Sequence, residues 1–222
     1  MNSLTPEFSN VAVHLSRMAK THPFKPAIHF PVGRDGSGRV TYSVLTFRQL
    51  DNLSNNIGRG LLARGLKPGM RSVLMVTPSP DFFALTFGLL KSGIIPVMVD
   101  PGMGAGKLKI CLNEAEPEAF IGIPKAHLAR IILGWARKTV KKLITVSPIG
   151  PLKWGDTLQE IIDAGSDEPF FPANNGEFSD PFNPDDMAAI NFTSGSTGVP
   201  KGAVYTHGIF AAQVELIRHT YS

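Results

Sequence analysis

The run Ile190-Asn191-Phe192-Thr193-Ser194-Gly195-Ser196-Thr197-Gly198-Val199-Pro200-Lys201-Gly202 decides how the rest of this chain is read. An apolar stretch, 187–192, reads as a buried strand and delivers the chain straight into a loop of glycines and hydroxyls. The order implied is strand, loop, strand, helix. Glycines at 195, 198 and 202 are expected to supply positive φ and to let backbone amides converge on an anion. Thr193, Ser194, Ser196 and Thr197 add hydroxyl donors, and Lys201 adds a mobile positive charge whose reach Pro200 restricts. A Ser/Gly-rich surface turn is the bland alternative. Two features weigh against it: hydroxyls fill nearly every position between the glycines, and the loop leaves the carboxyl end of a buried strand, where open α/β sheets place ligands. A Walker loop is excluded, because that motif needs glycine before the lysine and Ser/Thr after it, and Pro200 and Gly202 stand there instead. No G-x-G-x-x-G dinucleotide fingerprint is present in the segment.

Working outward, the segment before the loop, 168–186, is rich in Pro, Asn and Asp and reads as a surface connection. Upstream of it strand and helix signals alternate. Apolar runs at 72–76, 94–99, 119–123 and 143–146 are separated by helical patterns at 80–92, 108–113 and 127–135, and a further helix spans 158–164. Ser79-Pro80 opens the first of these helices and Gly93 closes it, which makes a βαβ unit and therefore a parallel sheet. The fold class expected is α/β, a doubly wound, largely parallel sheet with flanking helices. Thr46 with Gln49 forms a capping box for a helix whose apolar face is Leu50, Leu53, Ile57 and Leu61 and whose stop is Gly65. Before it, 27–32 and 39–42 flank the turn 33–38 as a hairpin, and Val11, Leu15 and Met18 mark an opening helix. The organisation is 1–45 helix and hairpin, 46–166 α/β layer, 167–186 connection, and 187–222 strand, phosphate loop and following helix.

The loop resembles the signature of acyl-adenylate-forming enzymes: acyl-CoA synthetases, luciferases and the adenylation domains of peptide synthetases. Their pattern, aromatic-Thr-Ser-Gly-Ser/Thr-Thr-Gly-x-Pro-Lys-Gly, is met at every fixed position from Phe192 to Gly202. Leu45-Thr46-Phe47-Arg48-Gln49-Leu50, and Leu90-Lys91-Ser92-Gly93 leading to Asp100-Pro101, are similar to the family's core motifs. The runs Val99-Asp100-Pro101-Gly102-Met103-Gly104 and Phe120-Ile121-Gly122-Ile123-Pro124 resemble the β-lactone synthetases of bacterial olefin biosynthesis. The resemblance implies that a substrate carboxylate attacks the α-phosphate of ATP and pyrophosphate leaves, giving an acyl-adenylate. In the β-lactone subgroup the substrate's own β-hydroxyl then closes the ring and expels AMP. Thr193, Ser194, Gly195, Ser196, Thr197, Gly198, Lys201 and Gly202 are thereby assigned to the ATP phosphates, with Mg²⁺ offsetting charge. Two other outcomes stay open, a CoA thioester or carrier-bound acyl product, and a non-catalytic scaffold module. The family's adenine-binding segment, its magnesium-holding glutamate, its ribose aspartate and its lid lysine find no match here. The chain is therefore expected to be the N-terminal part of a larger enzyme, inactive alone and without a catalytic or metal-ligating residue of its own.

Composition narrows the partners. The chain has 22 basic and 18 acidic residues, a surplus too small to demand a polyanion. The densest basic group, Arg137, Lys138, Lys141 and Lys142, lacks interleaved aromatics and reads as a solvated helix end, so no nucleic acid is expected. A single cysteine, Cys111, excludes an internal disulfide, and the greasiest segment, 82–90, is too short to span a bilayer; a cytoplasmic setting is expected. No two histidines stand at ligand spacing. His207, after a capping Thr206, reads as structural; the pairs Asp185-Asp186 and Asp167-Glu168 read as solvated; Phe82, Phe83 and Phe87 read as core. The open sheet edge makes self-association, as a homo-oligomer, a further expectation.

Overall fold

The alternation read from the sequence closes into one parallel sheet in the computed structural model, which describes residues 10–167, 183–193 and 200–221. Helix α1 (Val13–Thr21) leads into the antiparallel hairpin β1 (Pro26–Arg34) and β2 (Val40–Thr46). Its turn is tightened by the Asp35 carboxylate, which accepts from the amides of Ser37 and Arg39, and by Gly38 at φ 83°. Helix α2 (Phe47–Ala63) begins on the expected reciprocal cap: Gln49 N donates to Thr46 Oγ1 at 3.3 Å, and Thr46 N donates to Gln49 Oε1 at 2.9 Å. Gly65, at φ 84°, ends it.

The main layer follows as β3 (Arg71–Met75), α3 (Pro80–Lys91), β4 (Ile95–Val99), α4 (Ala105–Ala115), β5 (Ala119–Gly122), α5 (Pro124–Leu133), β6 (Lys142–Thr145), β7 (Asp156–Thr157), α6 (Leu158–Asp167), β8 (Met187–Thr193), β9 (Lys201–Thr206) and α7 (His207–Tyr221). The sheet order is β7-β6-β5-β3-β4-β8-β9, parallel throughout except for the antiparallel pair β8–β9. From β3 the chain steps to β4, then reverses across β3 to β5 and β6. Right-handed crossovers in opposite directions must put helices on opposite faces. The core divides accordingly. On one face Ile57, Leu61, Leu85, Leu89 and Ile161 of α2, α3 and α6 cover Leu74, Ile121 and Ile144; on the other, Leu108, Cys111 and Leu112 of α4 cover Val73, Val97, Phe120 and Ile190. Adjacent residues of one strand, such as Val73 and Leu74, belong to different faces, as the two-residue repeat of a strand requires.

Two sequence expectations need correction, and one strand was not anticipated. Phe83 is 40% exposed; only Phe82 and Phe87 pack against the core, and Phe83 instead borders an apolar groove of about 560 Å³ with Leu15, Phe30 and Phe47. Adjacent residues of a helix point about 100° apart, so Phe82 and Phe83 cannot both face the same layer. The basic group 137–142 lies beyond α5, in the turn that enters β6, so it is not a helix end; Lys142 Nζ donates to Arg64 O at 2.8 Å. Strand β7 has only two residues, too few to leave a periodic signal. Of the connection 168–186, residues 168–182 lie outside the described residues, as does Glu168 of the Asp167-Glu168 pair. Asp186 Oδ2 accepts from Asn183 N at 2.8 Å.

Lys91, near the end of α3, is 3% exposed and fixes α3 to α2. Its ammonium donates to Asp51 Oδ1 at 2.6 Å, Ser54 Oγ at 2.8 Å and Asn55 Oδ1 at 2.6 Å. Burial pulls its pKa down to about 8, against which the nearby Asp51 carboxylate restores only part. Between that value and the ordinary ~10.4 of an unfolded lysine, the unfolded chain holds more protons than the native one, so the native state gains stability as pH rises. Urea unfolding from pH 7.5 upward, each point compared with Lys91→Met, is expected to show the wild-type-minus-variant difference growing by roughly 3 kcal/mol across that window. A flat difference would show that the ammonium is fully compensated where it sits.

Candidate functional site

The strands that flank the loop segment meet at the carboxyl edge of the sheet. Strand β8 runs parallel to β4, with Val97 opposite Ile190 and Val99 opposite Phe192, so its last residue, Thr193, emerges where β3, β4, β5 and β6 also end. Strand β9 returns antiparallel, pairing Phe192 with Gly202 and Thr193 with Lys201. The strand ladder thus fixes Thr193 and Lys201 opposite each other. Ser194, Gly195, Ser196, Thr197 and Gly198 lie outside the described residues. Thr193 and Lys201 are described, and both are exposed.

Their placement alters two details of the sequence reading. Lys201 is the first residue of β9, so its backbone is pinned and only the side chain is free to move. Among the described residues its ammonium has no hydrogen-bond or ion-pair partner, leaving a solvated cation facing the hydroxyl-bearing end of β8. Gly202 does not turn the chain through positive φ; it sits within β9, outside the set of positive-φ glycines. Its missing Cβ matters for packing, because a Cβ there would stand 3.0 Å from the ring of Phe192. The aromatic residue of the motif and its last glycine are a cross-strand pair, and the ring lies over the glycine.

Beside this hairpin, β4 ends in Asp100 and a 3-10 turn, Pro101–Met103. The Asp100 carboxylate accepts from Gly102 N at 2.8 Å, and Gly104 takes φ 86° before α4 begins. The register of β4 with β8 brings this turn next to the β8–β9 hairpin, although 90 residues of sequence separate Asp100 from Ile190. Sequence reading had used the Asp100–Gly104 run only as a likeness, not as a neighbour of the loop. Asn191 was missed altogether. It precedes Thr193 by two on β8, and its Oδ1 is buried with no hydrogen-bond partner among the described residues. A polar atom left in that condition is costly unless something else bonds it. Its signal, one amide in an apolar strand, was present in the sequence.

His207 fits its structural assignment. It is 2% exposed at the start of α7, its Nδ1 accepts from Val11 N at 3.3 Å, and Ile209 N donates to Thr206 Oγ1 at 3.2 Å. It ties α7 to the opening segment instead of facing the loop. Among the described residues no three His, Cys, Asp or Glu side chains gather to hold a metal ion, and no helix is long and apolar enough to cross a membrane.

A doubly wound, largely parallel sheet with the β8–β9 hairpin and Lys201 at its carboxyl edge is an α/β domain of the kind that places ligands at that edge. Comparison with known proteins gives the particular family. The profile of the family described as AMP-binding enzyme matches residues 15–222, and the chain belongs to that family. It is 46% identical over 212 residues to an olefin beta-lactone synthetase of Stenotrophomonas maltophilia, covering 94% of this chain and 36% of that protein. It is 45% identical over 214 residues to one of Xanthomonas campestris, covering 96% and 37%. The chain thus spans little more than a third of the length of these relatives. Among solved structures it resembles the A domain of carboxylic acid reductase from Segniliparus rugosus, in complex with AMP and a co-purified carboxylic acid. That likeness has a TM-score of 0.71 and 19% identity, over 90% of this chain and 36% of the other. It supports the fold alone.

Proposed function

We propose that the protein carrying this chain uses ATP to activate a β-hydroxy carboxylic acid, and that this chain supplies the seat for the ATP phosphates. The reading is supported above all by the hairpin that sets Thr193 opposite Lys201 at the carboxyl edge of the sheet. Phosphate charge at that place is met by the Lys201 ammonium, by the Thr193 hydroxyl and by the glycine-loop segment between them. The strand ladder fixes the backbones of Thr193 and Lys201, so the hydroxyl and the base of the lysine stem start from set positions while the ammonium adjusts to the phosphates. Mg²⁺ would share the neutralisation. In the reaction a carboxylate oxygen bonds to the α-phosphorus as the bond to pyrophosphate breaks. The β-hydroxyl then attacks the acyl carbon, loses its proton, and AMP departs with ring closure.

Identity to two proteins named olefin beta-lactone synthetase favours this acid class over other members of the family. The test is product analysis by mass spectrometry for the complete protein that carries this chain, given ATP and a β-hydroxy fatty acid, with and without CoA. A β-lactone, AMP and pyrophosphate in equal amounts, formed without CoA, is the expected result. A thioester that appears only with CoA would assign the protein to acyl-CoA synthesis instead.

A further inference from the structure

The face of the sheet covered by α4 and α5 carries a feature that nucleotide binding does not use. Helix α5 is anchored on its inner side: His127 is fully buried, its Nε2 donates to Ile144 O at 3.0 Å, and its ring stacks on Trp154. Its outer side is apolar and open to solvent. Ile132 is 71% exposed, and Leu128 and Ile131 are each 51% exposed. Helix α4 extends the surface with Ile110, 54% exposed. The two helices are joined where Ala136 N donates to Asn113 Oδ1 at 3.2 Å and where Lys109 Nζ approaches Gly134. Isolated exposed apolar residues are ordinary, but a run of them on one helix face is not.

The charge around this face is equally lopsided. Of the eight basic side chains in residues 105–142, Lys142 reaches Arg64 O beyond α2 and Arg130 lies over the Phe120 ring; the other six, Lys107, Lys109, Lys125, Arg137, Lys138 and Lys141, stand against three acidic ones, whereas the rest of the chain has one acidic residue in excess. This stretch therefore carries most of the protein's positive surplus. Lys125 stands three and seven residues before Leu128 and Ile132, and Lys107 three before Ile110, so lysines and apolar side chains share the same helical faces. Both lysines are exposed, as are Lys109, Arg137 and Lys138. A protein partner of matching chemistry would need an acidic rim around an apolar centre. A bilayer with anionic headgroups over acyl chains offers that pattern everywhere, and long basic side chains can lie along it while the apolar residues enter.

We propose that the α4–α5 face is a peripheral docking surface for anionic lipid membranes, with Ile132, Leu128 and Ile131 entering the headgroup boundary and the surrounding lysines binding lipid phosphate. The surface lies on the side of the sheet away from α2, α3 and α6, so membrane contact leaves that layer free. The experiment is co-sedimentation of the full chain with phosphatidylcholine vesicles, with and without phosphatidylglycerol, at low and high salt. Binding only to the phosphatidylglycerol vesicles, weakened by salt, is expected. Ile132→Glu should lower the partition coefficient on the order of tenfold, and Lys125→Glu on the order of fivefold or more. Val32→Glu, on the exposed β1–β2 hairpin, should bind as wild type does; circular dichroism melts check that all three variants stay folded. A wild-type chain that stays in the supernatant overturns the proposal, as does binding indifferent to Ile132→Glu. So does concentration-dependent self-association that Ile132→Glu abolishes in the absence of any vesicle binding, which would make this face a protein contact.

Discussion

Gly60→Ala is expected to destabilise the fold by about 4 kcal/mol or more, enough to remove most of the stability of an ordinary domain. Helices α2 and α6 meet backbone to backbone. A Cβ at Gly60 would stand 1.8 Å from the carbonyl oxygen of Ile161, and one at Gly165 would stand 1.8 Å from that of Asn56. No rotamer relieves a contact between a Cβ and a main-chain oxygen, so the helices must move apart by more than an ångström. That movement opens the layer formed by Ile57, Leu61 and Ile161, all fully buried, and strains the bond from Arg59 Nε to Gly165 O at 2.7 Å. Overpacking alone commonly costs about 1–3 kcal/mol; losing the layer adds the cost of the voids left behind. Gly106→Ala is the control, because a Cβ there meets nothing within 4 Å, and alanine in α4 should gain up to about 1 kcal/mol. Urea unfolding of the three chains measures this. A Gly60→Ala midpoint at or above the wild-type value would show that the helices do not touch as described.

This contact also marks the limit of what the sequence could disclose. Signals that act within a few residues were legible: Thr46 and Gln49 cap α2, Ser79 Oγ accepts from Phe82 N at the start of α3, and Gly65 and Gly93 take the left-handed conformation that ends their helices. A second reciprocal cap was equally local and passed unnoticed. Glu160 N donates to Thr157 Oγ1 and Thr157 N donates to Glu160 Oε2, starting α6 on the same chemistry as α2. The Lys153 ammonium, with the amide and hydroxyl of Thr157, holds the Glu160 carboxyl down to about 2. Gly60 and Gly165 are another matter. Within a helix, glycine reads as a small loss of propensity, and only the partner helix, about a hundred residues away in sequence, shows why it stands there. Gly202 was recognised but for the wrong reason, since a glycine chosen for a neighbour's ring is indistinguishable in sequence from one chosen for its φ. The site divides the same way. The strand leading into the loop fixed where Thr193 would emerge, while its pairing with Lys201 and its nearness to Asp100 follow from sheet order, which no local pattern contains.

The second large effect concerns activity: Lys201→Ala, made in the complete protein that carries this chain, is expected to lower carboxylate-dependent ATP–pyrophosphate exchange about 10²–10³-fold. The β8–β9 ladder positions the backbone of Lys201 whatever its side chain, and the ammonium is exposed with no partner among the described residues to lose. The variant should therefore melt with the wild type, which separates loss of charge from loss of fold. A compact ammonium on a flexible stem can follow the terminal phosphates as pyrophosphate separates, so Lys201→Arg, bulkier and planar, should recover only part of the rate. Thr193→Val removes one hydroxyl opposite and should cost less, since the ammonium's full positive charge stays in place. Gly202→Val acts by a different route: its side chain must displace the Phe192 ring, 3.0 Å from the site of the new Cβ, and with it the end of β8. It should lower exchange and melting temperature together, whereas Lys201→Ala lowers exchange alone. Exchange unaffected by Lys201→Ala would remove this lysine, and with it the hairpin, from the reaction.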